Sequence, residues 1–196
     1  MHLTVSWTRI IVPAEGEIIP EGSYSEDLQA FGKALEEHIA SYKNEIVRQS
    51  SVTAWLLLKS LLDNRGEPVR EVSFTEKGKP FFADGSGLFF SLSHTRYAAA
   101  AAVCDMPVGV DIEQIREEWK SALLARFLTK KEQQVFQDDY TRAWCRKEAQ
   151  AKLTGEGMFQ DPKQIDILSD EYVFEEKIVE DRGVFYRLTA AAKRDI

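Results

Sequence analysis

The chain has 196 residues, 44% hydrophobic and 29% charged, enough apolar material for a packed core and too much for a disordered or fibrous chain. Its 25 basic and 32 acidic residues leave a formal charge of −7. That balance argues against nucleic acid or an anionic membrane surface as the main partner, while leaving room for a local basic pocket that holds a phosphorylated small molecule.

Cys104 and Cys145 are too few for a disulfide framework and read as small buried hydrophobes. His2, His38 and His94 are too scattered for a zinc site. No apolar run approaches the roughly 18 residues of a membrane span, and the N-terminus lacks a signal pattern, so a reducing, cytoplasmic setting is expected.

Residues 2–7 alternate polar and apolar like a half-buried strand, and Pro13, Gly16, Pro20 and Gly22 mark a loop. Ser25 is placed to cap a helix over 26–43 whose stripe is Leu28, Phe31, Leu35 and Ile39. A second helix over 46–62 stops at the turn 63–66. Residues 69–75 read as a short strand, 77–80 as a turn carrying two lysines, and 88–92 as another strand. Five consecutive alanines within 97–104 favour helix by propensity, but the flanks look like sheet, so the segment reads as a buried strand. Residues 108–112 fit a hairpin with it.

From 117 to 155 the pattern is helical in three pieces. The first holds Trp119, Leu123, Leu124 and Phe127. Thr129 and Glu132 form a capping box opening the second, and the third, 141–154, stops at Gly155. In the tail, 165–168, 172–178 and 184–189 read as strands, the last two joined by the turn 180–183. The order predicts an α+β fold of two similar α/β halves, 1–105 and 106–196, packed as one compact unit.

Three constellations can carry chemistry. In Gly109–Val110–Asp111–Ile112–Glu113, strand periodicity turns Asp111 and Glu113 to one side while Val110 and Ile112 point into the core. Two carboxylates on one face repel unless a cation or protons lie between them, and hard oxygen ligands of this kind suit Mg²⁺. Taken alone, two solvated acids at a strand end are the commoner explanation. Second, Trp144, Glu148 and Lys152 share a helix face, where Glu148 could be a third metal ligand or a base and Lys152 could neutralise phosphate. A surface ion pair between the two is the simpler alternative. Third, Lys79 and the run Ser93–His94–Thr95 place a cation and hydrogen-bond donors where phosphate could bind; a lone turn histidine is more often structural. The GxSxG and GxxxxGK[ST] patterns are absent. Jointly, three carboxylates with Lys79, His94 and Lys152 form the set that metal-bridged cleavage of a pyrophosphate needs.

KGKP, FSLSHT, GVDIE and WCRKEAQAKLTGEG, in this order and with these gaps, resemble the 4′-phosphopantetheinyl transferases, in particular the single-chain, two-half type that activates peptide, polyketide and fatty-acid synthase carriers. The resemblance runs over about residues 46–158. It implies two halves related by a pseudo-twofold with the active site in the cleft between them. It implies Mg²⁺ on Asp111, Glu113 and Glu148, with Glu148 deprotonating the carrier serine and Lys152 on the phosphates. It further implies coenzyme A contacts from Arg48, Ser51, Lys79, Pro80, Ser93, His94 and Thr95. Glu132 matches an acid with a supporting role, although its capping role is explanation enough. The implied partners are coenzyme A and an apo acyl or peptidyl carrier protein, and a monomer is the simplest expectation. A metal-dependent hydrolase of coenzyme A or a nucleotide pyrophosphate, and a coenzyme-A-binding module without turnover, are the alternatives.

Overall fold

The computed structural model describes residues 3–9, 25–155 and 161–194. The expected loop at Pro13–Gly22, and Glu156 and Gly157 after the last helix, lie outside them, as does the side chain of Ser25. Strands β1 (Thr4–Arg9), β4 (Phe89–His94) and β5 (Ala98–Cys104) make one antiparallel sheet in the order β1-β5-β4. Strands β6 (Val108–Gln114), β7 (Tyr172–Asp181) and β8 (Val184–Lys193) make a second in the order β6-β8-β7. The short β2 (Val72–Phe74) and β3 (Pro80–Phe82) form a separate hairpin. The α+β class follows directly.

The alanine run is a strand because it is buried on both faces. Ala101 and Val103 pack under a helix with Trp55, Leu58 and Phe90, whereas Ala98, Ala100 and Ala102 meet Val108, Val110, Ile112 and Leu188 of the other sheet. Small side chains let two layers close on one strand, and that packing outweighs a helix preference of a few tenths of a kcal/mol per residue.

The predicted hairpin between 97–104 and 108–112 does not form. Both edges of β5 are taken, by β1 and by β4, so β6 pairs with β8 instead. The predicted helix 26–43 is split into α1 (Ser25–Gln29) and α2 (Lys33–Ala40), because Gly32 sits at φ 88°, outside the helical region. Leu28, Phe31 and Leu35 are buried as expected. The next helix, α3 (Glu45–Arg65), opens under an Asn44 cap and closes on Gly66 in the left-handed conformation.

The C-terminal helices are α4 (Ser121–Phe127), α5 (Lys130–Val135) and α6 (Tyr140–Thr154). The Thr129/Glu132 capping box opens α5, and Gly155 ends α6. Residues 165–168, expected as a strand, instead follow a 3₁₀ turn at Pro162–Gln164, and the Ile165 carbonyl is taken by Lys147. Both cysteines are buried and free. Among the described residues no helix is long and apolar enough to cross a membrane.

Candidate active site

The site is built where α6 lies on β6. On one face of β6, Val108, Val110 and Ile112 enter the core, as the alternation predicts. Gly109 faces α6, and there is no room for anything larger. A Cβ on Gly109 would stand 1.9 Å from the Ala149 carbonyl oxygen and 2.5 Å from the Leu153 nitrogen, backbone atoms one helical turn apart. This contact draws α6 onto the strand and sets its carboxylate beside those of β6.

Asp111 is nearly fully buried. Its Oδ1 accepts Lys152 Nζ at 2.8 Å and Ser93 Oγ at 2.8 Å, and Lys152 Nζ also donates to Ser93 Oγ at 2.8 Å. Its Oδ2 is buried with no hydrogen-bond partner. Glu113 accepts the Trp144 indole N–H at 3.2 Å and lies 3.8 Å from Arg116. Burial, and secondarily the charge of Asp111, push the Glu113 carboxyl up.

Glu148 is half-buried, and desolvation followed by the charges of Asp111 and Glu113 raises it to about 7, with Lys152 opposing. The Trp144, Glu148, Lys152 face of α6 therefore converges on the carboxylate face of β6. Lys152 pairs with Asp111 rather than with Glu148, so the simple i,i+4 surface pair is not what forms.

Among the described residues no three His, Cys, Asp or Glu side chains close into a finished metal cage. The donor set nonetheless fits a hard cation. An orphaned buried carboxylate oxygen, two carboxyls raised by burial and by the charge of Asp111, and an all-oxygen chemistry are what Mg²⁺ satisfies with few protein ligands, the rest coming from phosphate and water.

Beside this cluster opens a cleft of about 310 Å³ lined by Ser51, Lys77, Lys79, Pro80, His94, Lys152 and Gly155, with a wall of His38, Tyr42, Trp55 and Phe74. Lys79 reaches over from the β2–β3 hairpin to donate to the Leu153 carbonyl at 2.9 Å, and burial lowers its ammonium. Desolvation first and the charge of Lys152 second lower the His94 imidazole, with Asp111 opposing. His94 and Thr95 also border a neighbouring cavity with Asn44, Ser50 and Arg96. The Thr95 hydroxyl accepts the backbone N–H groups of Tyr97 and Ala98, so it is engaged in the β4–β5 turn.

Of the expected nucleotide contacts, Ser51, Lys79, Pro80, His94 and Lys152 line the cleft. Arg48 stands at the start of α3, paired with Glu45, and Ser93 is buried behind the cleft wall. The aromatic wall escaped the sequence reading. His38 stacks on Phe74 with ring centroids 4.4 Å apart and bonds Tyr42 through Nε2 at 3.0 Å. His38 comes from α2, Tyr42 from the loop after it, Trp55 from α3 and Phe74 from β2, so no single segment displays the wall.

Residues 107–190 match the model described as the ACPS: 4′-phosphopantetheinyl transferase superfamily. The matched stretch, less than half of the chain, is similar to this superfamily. It is 36% identical over 126 residues to a 4′-phosphopantetheinyl transferase, AcpT, of Salmonella typhimurium, across 58% of this chain and 63% of that protein. The AcpT of Escherichia coli K12 is 33% identical over 116 residues, 54% of this chain and 60% of its own length. The psf-1 transferase of Bacillus pumilus is 35% identical over 101 residues, 46% and 43%. The chain thus spans less than two thirds of each of these transferases. The matched segment contains Asp111, Glu113, Glu148 and Lys152.

Proposed function

We propose that the chain catalyses Mg²⁺-dependent transfer of the 4′-phosphopantetheine arm of coenzyme A to a serine of an apo acyl or peptidyl carrier protein, releasing 3′,5′-ADP. The observation that carries this reading is the juxtaposition of a buried, under-satisfied carboxylate cluster with a cleft bearing Lys79, His94 and Lys152. Asp111, Glu113 and Glu148 would hold Mg²⁺, which neutralises a bound pyrophosphate and makes its phosphorus open to attack.

Lys79 and His94 hold the nucleotide phosphates in the cleft, with Ser51 and Pro80 along its walls and Arg48, Ser93 and Thr95 around it. Glu148, half-buried beside Asp111 and Glu113, takes the proton of the carrier serine. The serine oxygen bonds to the phosphorus that carries pantetheine. The bridging P–O bond breaks with its electron pair going to 3′,5′-ADP, whose negative charge Lys152 meets.

Residues 1–105 and 106–196 act in this reading as two halves about a pseudo-twofold. A three-stranded antiparallel sheet backed by a long helix in each, α3 with β5 and α6 with β6, supports it. A monomer working in a reducing, cytoplasmic setting fits a site assembled within one chain.

The second reading, a hydrolase of coenzyme A or of a nucleotide pyrophosphate, uses the same carboxylates with water in place of serine. The test is product analysis with and without an apo-carrier. Release of 3′,5′-ADP only with a carrier supports the transferase, and release without any carrier supports the hydrolase. Asp111→Ala is expected to abolish turnover, and near-normal rates at saturating Mg²⁺ would remove Asp111 from the ligand set. Coenzyme A binding with no release under either condition would leave the chain a binding module.

A further inference from the structure

The two three-stranded sheets meet at β4 and β6, and among the described residues no backbone hydrogen bond joins these strands. Serine side chains do the joining. Ser91 Oγ accepts the Val110 N–H at 3.0 Å and Ser93 Oγ accepts the Ile112 N–H at 3.4 Å. Two serines one alternation apart on β4 thereby meet two alternate N–H groups of β6, which fixes how far one sheet slides along the other.

Ser93 does more than Ser91. Its hydroxyl donates to Asp111 Oδ1 and accepts from Lys152 Nζ, both at 2.8 Å. With the longer contact to Ile112, the one proton and two lone pairs of the hydroxyl are all committed. Ser93 is 6% exposed and is not part of the cleft lining, which takes Ser91, Leu92 and His94 from the same strand.

We propose that Ser93 is a positioning residue. It sets the carboxylate of Asp111 and the ammonium of Lys152 relative to each other across the seam between the sheets, and it makes no contact of its own with a nucleotide phosphate. The assignment rests on the proposed transferase reading for its consequence and on the hydrogen bonds alone for its geometry. Asp111 Oδ1 receives the two donors, leaving the partnerless Oδ2 as the oxygen free for a cation. A carboxylate without the Ser93 bond could rotate and lose that division of labour.

The test compares Ser93→Ala, Ser93→Thr and Ser91→Ala, each checked for folding by circular dichroism and thermal melting. In the first arm, an amine-acylating reagent is applied to the protein alone and the labelling rate of Lys152 is read against that of Lys177, a surface lysine paired with Glu175. Ser93→Ala is expected to raise the relative rate at Lys152 several-fold, while Ser93→Thr, which keeps the hydroxyl, and Ser91→Ala leave it near the wild-type value. This arm needs no metal, coenzyme A or carrier, so it stands whether or not the transferase reading does.

In the second arm, calorimetry measures coenzyme A and 3′-dephospho-coenzyme A binding with and without Mg²⁺. Ser93→Ala is expected to weaken the Mg²⁺-dependent part of binding by about tenfold and to leave the preference between the two nucleotides unchanged. Loss of that preference would make Ser93 a direct phosphate contact and overturn the proposal. Unchanged Lys152 labelling in a folded Ser93→Ala protein would also overturn it. If wild-type protein binds neither nucleotide, the transferase reading fails and the labelling arm alone decides the geometry.

Discussion

Each long helix of this protein meets a sheet, and the two meetings are built oppositely. α3 rests on β4 and β5 through bulk: Val52, Trp55 and Leu58 against Phe90, Ala101 and Val103, with Phe31 and Trp55 edge to face at 5.2 Å. α6 rests on β6 through the absence of bulk at Gly109 and through polar chains elsewhere, with Trp144 bonded to Glu113 and Lys152 to Asp111, while Cys145 Sγ reaches the Arg187 carbonyl on the adjoining β8. The α3 contact is non-directional, so a lost methylene costs its share of buried area. The α6 contact is directional and has no slack. The layer that shapes a cleft can therefore drift, while the layer that places carboxylates cannot.

The sharpest way to break this comparison is a pair of single substitutions. Gly109→Ala adds one carbon where backbone stands 1.9 Å away, and α6 must leave the strand to admit it. The expected cost exceeds about 4 kcal/mol, read as loss of a cooperative melt. Leu58→Ala removes three carbons from the α3 layer and is expected to cost about 2–5 kcal/mol while keeping the fold. If Gly109→Ala melts like wild type, the close packing of α6 on β6 is wrong.

Next in size is the buried pair behind the site. Lys147 is fully buried, and its three protons go to Glu132 Oε1 at 2.7 Å and to the Pro162 and Ile165 carbonyls at 3.0 and 2.6 Å. Removing one partner strands the other charge, so Lys147→Met is expected to destabilise by about 3–5 kcal/mol. Chemical denaturation checks this. A change below about 1 kcal/mol, the range of surface pairs, would place the pair at the surface.

A smaller, pH-dependent effect belongs to Glu176 on β7. Burial alone would push its carboxyl up, but hydrogen bonds and charge from Arg146 and Arg142 hold it at about 2, below the usual 4.5. A carboxyl lowered on folding stabilises above its ordinary value, and that contribution is lost as pH falls from about 4.5 towards 2. Glu176→Gln is therefore expected to be less stable than wild type at neutral pH by roughly 1.5–3 kcal/mol, with the gap closing below pH 4.5. A gap that stays constant to pH 2 would rule out the charge as its source.

The contrast also explains what could be read from the chain before its fold was known. The directional layer was legible because its parts are local: GVDIE alternates on one strand, WCRKEAQAK repeats on one helix, and the Thr129/Glu132 box caps one turn. Gly109 was visible only as a letter in a motif, since its role depends on how closely a helix 40 residues later approaches. The aromatic wall of the cleft was hidden for the same reason, its rings coming from α2, the loop after it, α3 and β2.

The false hairpin has a different origin. Asp105–Met106–Pro107 reads as a turn between two apolar runs, and nothing local reveals that β1, a hundred residues earlier, already holds the free edge of β5. Ser93 sat in a run resembling a phosphate-binding turn, and only the seam between the sheets shows its hydroxyl directed at Asp111 and Lys152.

The most direct test of the proposed activity is intact-protein mass spectrometry of apo acyl and peptidyl carrier proteins incubated with this chain, coenzyme A and Mg²⁺. The account predicts a single gain of about 340 Da, one phosphopantetheine arm, on at least one carrier, lost when Mg²⁺ is chelated and lost with Asp111→Ala. Consumption of coenzyme A with every carrier unchanged in mass would contradict it.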